Sequence, residues 1–544
     1  MRQRRLRKAE EAALRKTLLS HESGGDFARA NYDYPEALNQ YGEALRSPVV
    51  QSDDEWRLCS KYADVLFCSH EPEKTGPWLE RALRSCRSSK AAQNAGSIIS
   101  ILMRLARQCW LNAQTVSALA PIGEAIQVAT AAKDKVLVAR ANLQMTSYLA
   151  LLGRNRAAKP YFEQARHVLN TKDPAWRSIY LSRRAIRRAM QGERAPAYRD
   201  FEAGVKAPNE IQELARGYWV TAVWDDYGIW AMALGDIATA QFCRERALFV
   251  AREYHVAWRI PYLSLRYADL LLELEQYERA RELVLDALTY DCKAPCIKIL
   301  TALIGIRLAG TLNDDGLLHR CSDEHVLEYA YRSGEPAHIG PLISALARMH
   351  IARGEAAEAT ALVRQALPTL SSAEHAWDLL VDVAMLGDED EQQLARAHLQ
   401  SRVALPSSRV ATAYLHMFDA AVAKRSGSVA QQRLLARQAA KCFKRIGWLA
   451  HERLALRHGD DTSAGSQIEP PPRAFRTMLG GLSELTKRES DVAELVLQGF
   501  SNRAIARELS ISEHTVESHM SSIMNRLGIH SRHQLTNMVA DSGM

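Results

Sequence analysis

The chain has 544 residues, more than one hydrophobic core accommodates, because single cores stop growing at roughly 250 to 300 residues. Its 47% hydrophobic and 24% charged residues, with Gly and Pro scarce, exclude a disordered or collagen-like chain. A net charge of +7 over this length would help an approach to nucleic acid and identifies no partner by itself.

Residues 1–24 open with Arg2, Arg4, Arg5, Arg7 and Lys8, followed by Glu10, Glu11, Arg15 and Lys16. This reads as a basic helical tail, either simply solvated or an extra arm for phosphates. No apolar stretch follows, so a secretory signal is not expected. Nine cysteines scattered singly from Cys59 to Cys442 suit free thiols in a reducing cytoplasm. Cys292 and Cys296 enclose Pro295 and have no neighbouring His, a poor spacing for a metal, so neither metal nor cofactor is expected. No apolar run is expected to approach the roughly 18 residues a membrane span needs, and no membrane partner is expected.

Residues 25–458 are a succession of helical patterns broken by short Gly, Asp or Pro punctuation. Gly153, Ala158, Phe162 and Ala165 set a motif that Gly192, Ala197 and Phe201 repeat. Gly235, Ala240 and Ala247, and later Gly354, Ala359 and Ala366, keep the glycine and both alanines. Ala280 with Ala287, and Ala37 with Tyr41 and Ala44, fit without the glycine. The anchors recur about every 40 residues, the mark of a stacked repeat. Each unit is expected to be two antiparallel helices, with Ala where backbones approach and Gly ending the first helix in a left-handed turn. Stacking covers the apolar face each pair leaves bare and generates a superhelix with a concave groove. The motif resembles the tetratricopeptide repeat, and the longer period resembles the sensor region of MalT-type regulators. Tyr218, Trp219, Trp224, Tyr227, Trp230 and Trp258 form its densest aromatic group. Trp219, Trp224 and Trp230 either line a groove for a ligand or peptide, or pack between helices.

Residues 459–479 lose the pattern in a polar Gly-rich stretch and then Pro470, Pro471 and Pro472, and read as a tether. Residues 480–544 regain it. Thr486 and Glu489 form a capping box, Gly499 stops the first helix, and Ser501 caps a second. Ser512 caps a third, in which Val516, Met520, Ile523 and Leu527 share one buried stripe. His514, Glu517, Ser518 and Ser521 lie on the opposite face, which fits a major groove.

Leu485, Thr486, Arg488, Glu489, Gly499, Ser501, Asn502, Ile505, Leu509, Ile511, Thr515, Val516, His519, Ile523, Gly528 and Ser531 stand at the spacing of the LuxR-type signature, and this domain resembles that family. The resemblance implies a four-helix, helix-turn-helix domain whose third helix reads double-stranded DNA. It also implies phosphate contacts at Thr515, Arg526, Ser531 and Arg532, and a homodimer formed by the fourth helix through Leu535, Met538 and Val539. One departure is Glu517, where the family usually carries Lys or Arg. Glu repels phosphates and can accept from a cytosine amino group. From Glu484 onward six Lys and Arg face eight Asp and Glu, which weakens binding of a single domain to DNA.

The fold expected is all-α: a tetratricopeptide-like solenoid, then a small helix-turn-helix domain. The function expected is a cytoplasmic transcription regulator whose repeats sense a ligand or protein partner and control DNA binding, with RNA polymerase as a further partner. The competing reading is a repeat scaffold or co-chaperone with a vestigial DNA-binding domain. No phosphate-binding G-x-x-x-x-G-K-[ST] loop, G-x-S-x-G or H-E-x-x-H motif occurs, so an enzyme is not expected.

Overall fold

A computed structural model of the chain describes residues 2–69, 71–89, 95–170, 173–206, 216–367, 377–403 and 409–460, and in the C-terminal part 488–489, 491–492, 505–506, 509 and 511–527. The chain forms two compact units, Met1–Asp460 and Asp461–Met544. Among the described residues there is no strand.

The first unit begins with α1 (Arg2–Ala30), α2 (Tyr34–Arg46), α3 (Ser52–Cys68), α4 (Thr75–Ser88), α5 (Ala95–Leu111), α6 (Leu119–Ala131), α7 (Lys135–Leu151) and α8 (Asn155–Ala165). It continues with α9 (Pro174–Met190), α10 (Arg194–Lys206), α11 (Arg216–Ala233), α12 (Ile237–Glu253), α13 (Arg259–Glu273), α14 (Tyr277–Thr289), α15 (Pro295–Leu312) and α16 (Asp315–Cys321). The last eight are α17 (Val326–Ser333), α18 (Pro336–Ala352), α19 (Ala356–Ala366), α20 (Trp377–Leu386), α21 (Glu389–Val403), α22 (Arg409–Arg425), α23 (Val429–Ile446) and α24 (Leu449–Asp460). Consecutive helices pack as hairpins, as in α7 with α8, α9 with α10 and α11 with α12. The boundary expected after residue 24 falls inside α1, which is one unbroken helix. Leu18 and Glu22 of α1 are buried, and Arg57 of α3 grips Glu22 at 2.8 Å through two nitrogens.

The repeat register is visible at each turn. Gly153, Gly192, Gly235 and Gly354 all have left-handed backbones, with φ between 70° and 81°. Gly235 N–H donates to the Met232 carbonyl at 2.9 Å and Asp236 N–H to Ala231 at 2.8 Å, the crossed pair of bonds that closes a helix C-terminus. Asp236 then caps the next helix by accepting from Thr239 N–H at 3.1 Å. Five residues past each glycine the anchors Ala158, Ala197, Ala240 and Ala359 are buried, since nothing larger fits where two helix backbones meet. Where the glycine is missing the same turn survives: Tyr32, Ala113, Glu275 and Asn313 occupy the left-handed region at φ 52° to 61°.

This register gives a paired test. Gly354 has φ +81° and open space where a Cβ would stand, whereas Gly447 has φ +85° and Ile237 Cγ1 would lie only 2.9 Å from its Cβ. Gly354→Ala is expected to cost about 1–2 kcal/mol from backbone strain alone. Gly447→Ala is expected to lose about 1–3 kcal/mol more by overpacking, a difference read from the two urea-unfolding midpoints.

The superhelix is wound tightly enough for successive turns to touch. Tyr34 Oη donates to the His255 carbonyl at 3.0 Å, 221 residues away, and Ala257 N–H to the Cys68 carbonyl at 3.0 Å. Arg332 donates to the Asn112 carbonyl at 3.1 Å and Thr115 to the buried Glu335, each pair 220 residues apart. Helix α5 accordingly packs on α15, and α13 on α24. The second contact is polar. His451 of α24 lies 2.5 Å from Glu273 of α13 through Nδ1, and 3.3 Å from Asp378 of α20 and 2.8 Å from Tyr414 of α22 through Nε2. Burial opposes the imidazolium charge, yet the Glu273 and Asp378 carboxylates prevail and raise its pKa to about 9. Arg307 and Arg348 complete the group on the same two carboxylates.

One expectation is corrected. Helix α15 is 18 residues long with mean hydropathy 1.5, long and apolar enough to cross a membrane by length and composition. Here it is a core helix: Ile299, Ala302, Leu303 and Ile306 are buried, and α13, α16, α17 and α18 surround it. An array helix covered on most sides carries little amphipathic alternation, so its sequence does not separate a core helix from a membrane span.

Candidate nucleic-acid interface

The described part of the second unit centres on α25 (Glu513–Leu527). Its start is fixed by Ser512, whose Oγ accepts from Thr515 N–H at 3.0 Å and lies 2.7 Å from the Thr515 hydroxyl. Just before it, Leu509 N–H donates to the Ile505 carbonyl and Ile511 N–H to Ala506, both at 2.9 Å, so one helical turn ends as the next helix is set up. Val492, Ile505, Val516 and Ile523 are fully buried, with Met520 at 5%. Val516, Met520 and Ile523 are three of the four positions of the stripe expected from the sequence, and the side chain of the fourth, Leu527, lies outside the described residues.

The outer face of α25 carries the residues expected to meet bases. Glu517, Ser518 and Ser521 are exposed, and at 3.6 residues per turn they share an arc of roughly 100° with the backbone position of His514, opposite the buried stripe. Ser521 Oγ donates to the Glu517 carbonyl at 3.0 Å, which leaves its lone pairs outward. A helix of 15 residues is about 22 Å long and can lie in a groove about 12 Å wide. Thr515 stands in the first turn, where the positive end of the helix dipole favours a phosphate. The side chains of His514 and Arg526, and all of Ser531, Arg532, Leu535, Met538 and Val539, lie outside the described residues.

In the repeat unit the three tryptophans meet different neighbours. Trp219 leans on Trp176 of α9 at 5.7 Å, Trp224 meets Phe242 of α12 at 5.7 Å, and Trp230 packs beside Ala189, Ala197 and Tyr198. All three are half-buried, Trp219 against the preceding helix pair and Trp224 within its own. No arginine of the array stands out in the sequence, yet Arg107 and Arg259 converge on the ring of Tyr218, at 5.0 and 5.7 Å. Arginine is spread too evenly along the chain to mark them; the adjacency of Trp258 and Arg259 was the one local hint.

Comparison with known proteins places relatives on the C-terminal unit. The family described as bacterial regulatory proteins, luxR family, matches residues 483–539. The spore germination protein GerE of Bacillus subtilis is 50% identical over 50 residues, which are 9% of this chain and 68% of that protein. An HTH-type transcriptional regulator of Mycobacterium tuberculosis is 41% identical over 63 residues, 12% of this chain and only 7% of its own length. The matched segment thus spans a small fraction of the mycobacterial relatives. Among solved structures, a Rap protein complexed with competence and sporulation factor aligns with a TM-score of 0.42 and 11% identity, covering 68% of this chain and 98% of that one. The apo form of the quorum sensor NprR from B. thuringiensis aligns with a TM-score of 0.33 and 14% identity, covering 69% and 99%.

Proposed function

We propose, from the fact that this chain belongs to the LuxR family of bacterial regulatory proteins, that it regulates transcription by binding double-stranded DNA with α25 in the major groove. The observation that carries this reading is the division of α25 into a buried stripe at Val516, Met520 and Ile523 and a polar outer face at Glu517, Ser518 and Ser521. His514 joins that face as a base reader, and Thr515, Arg526, Ser531 and Arg532 hold the backbone. Two copies pair through Leu535, Met538 and Val539, so that the operator is a pseudo-palindrome. The repeat unit acts as the sensor, for a small ligand or a protein partner, and RNA polymerase is the downstream contact of a cytoplasmic, non-enzymatic regulator.

The test is genome-wide capture of DNA bound to the tagged full chain, beside the double variant Thr515→Ala/Arg532→Ala. Discrete peaks that vanish in the variant are the expected result. Absence of peaks under several growth conditions would overturn it in favour of a repeat scaffold, a reading that the exposed Glu517 and the acidic excess of the domain already lean towards.

A further inference from the structure

Where distant helices of the array meet, aromatic rings gather around two arginines of which one only shares a carboxylate and the other has none within ion-pair distance among the described residues. Arg259, the first residue of α13, is 3% exposed; its Nε donates to Thr221 Oγ1 at 3.3 Å, and its Nη2 has no hydrogen-bond partner. The carboxylate closest to pairing with it is Asp225, at 3.9 Å, and Asp225 is already bonded to the buried Arg244. One carboxylate therefore faces two buried guanidinium groups. Arg107 of α5 lies 4.0 Å from the ring centre of Phe67 and, among the described residues, makes no hydrogen bond or ion pair.

The indole N–H groups of Trp258 and Trp110 are also buried without an acceptor, with their rings 6.1 Å apart and each 6.2 Å from Tyr262. Arg259 sits 5.4 Å from the Trp258 ring and 4.9 Å from that of Tyr262. The unmatched atoms of these three residues, Arg259, Trp258 and Trp110, are all donors. Burying a guanidinium with only a shared counter-ion, beside two unmet N–H groups, is costly unless an outside group supplies the acceptors. Trp110, Tyr218, Tyr262 and Arg107 are half-buried, so the cluster reaches solvent at its edge while the unmatched donors lie beneath it.

We propose that Arg259, Trp258, Trp110 and Arg107 form a binding site for a small anion in which a carboxylate or phosphate is joined to a planar, apolar body. The acid group meets the guanidinium and indole donors, and the body lies against the rings of Tyr218 and Tyr262. Because Phe67, Arg107 and Trp110 lie more than 100 residues before Tyr218 and Arg259, an occupant ties distant helices of the array together. That this anion is the regulator's effector rests on the function proposed above; the site itself does not.

The test is calorimetric titration of the full chain with phenylacetate and phenyl phosphate, using neutral phenylacetamide as the control. At least one anion is expected to bind, with phenylacetamide about 10- to 100-fold weaker. Tighter binding of phenyl phosphate assigns a phosphate ligand, and of phenylacetate a carboxylate. Arg259→Met and Arg107→Met are each expected to weaken the better anion about 10-fold or more, and ligand-free Arg259→Met is expected to melt no lower than the parent. Failure of both anions to bind, equal binding of phenylacetamide, unchanged binding by both variants, or a sharp fall in the melting temperature of ligand-free Arg259→Met would overturn the site. DNA capture on the same preparations separates the two proposals: anion binding without DNA peaks removes the regulator and leaves the site, and DNA peaks without anion binding do the reverse.

Discussion

Replacing His451 with alanine is expected to lower the stability of the repeat unit by about 3 kcal/mol, among the largest losses any single substitution in it would cause. The substitution removes the cation that Glu273 and Asp378 share, and strips Tyr414 of a partner, in a place where His451 is 6% exposed. Arg307 and Arg348 remain on the same carboxylates and hold the loss at the lower end of the range for a broken buried pair. The measurement is urea unfolding beside limited proteolysis of α24, whose early release is expected because His451 joins it to α13. A loss under about 1 kcal/mol would mean that the two arginines suffice. The pH dependence has a definite sign. A histidine whose pKa is about 9 when folded and 6.5 when free stabilises fully below pH 6.5, and that stability fades as pH rises through 9. The parent is expected to weaken across this window, and His451→Ala to show a flatter profile.

Glu517→Arg is expected to tighten DNA binding about 10-fold and to steepen the slope of log K against log salt by about 0.9, the effect of one added phosphate contact. The exposed position of Glu517 on the outer face of α25 motivates this. Binding to the captured operators and to unrelated duplex of the same length, measured over a salt series, checks it. If the variant gains on unrelated DNA and loses on the operator, the native carboxylate accepts from a base, which would make Glu517 a specificity residue.

The repeat was legible because its two commonest devices are local. Gly at the left-handed turn and Ala at the helix crossing are each dictated within one hairpin, so Gly153 with Ala158 and Gly192 with Ala197 could be read directly. Ala113 and Tyr32 adopt the same backbone without the glycine that announces it; there the crossed turn bonds and neighbouring packing impose the conformation. The buried stripe of α25 was legible for a similar reason, since a period of 3.6 shows within a dozen residues. Contacts such as Tyr34 to His255, or Glu273 to His451, were not, because nothing near either partner encodes the other. The same holds for Arg259: its lack of a close, unshared carboxylate is a property of the assembled wall and of no stretch of sequence.

The touching turns also bear on how such an array can fold and evolve. In an open repeat stack each unit meets only its neighbours, and units melt or are gained and lost almost one by one. Bonds between residues 221 and 220 positions apart remove that freedom. They raise the contact order, so folding is expected to be slower and more all-or-none than for an open stack of equal length. They also work like a screw thread: adding or deleting one unit of about 40 residues between Asn112 and Arg332 would put every later contact out of step. The number of repeats within a turn is then held by geometry, and both ends are held with it, since α2 is bonded to His255 and α24 to α13.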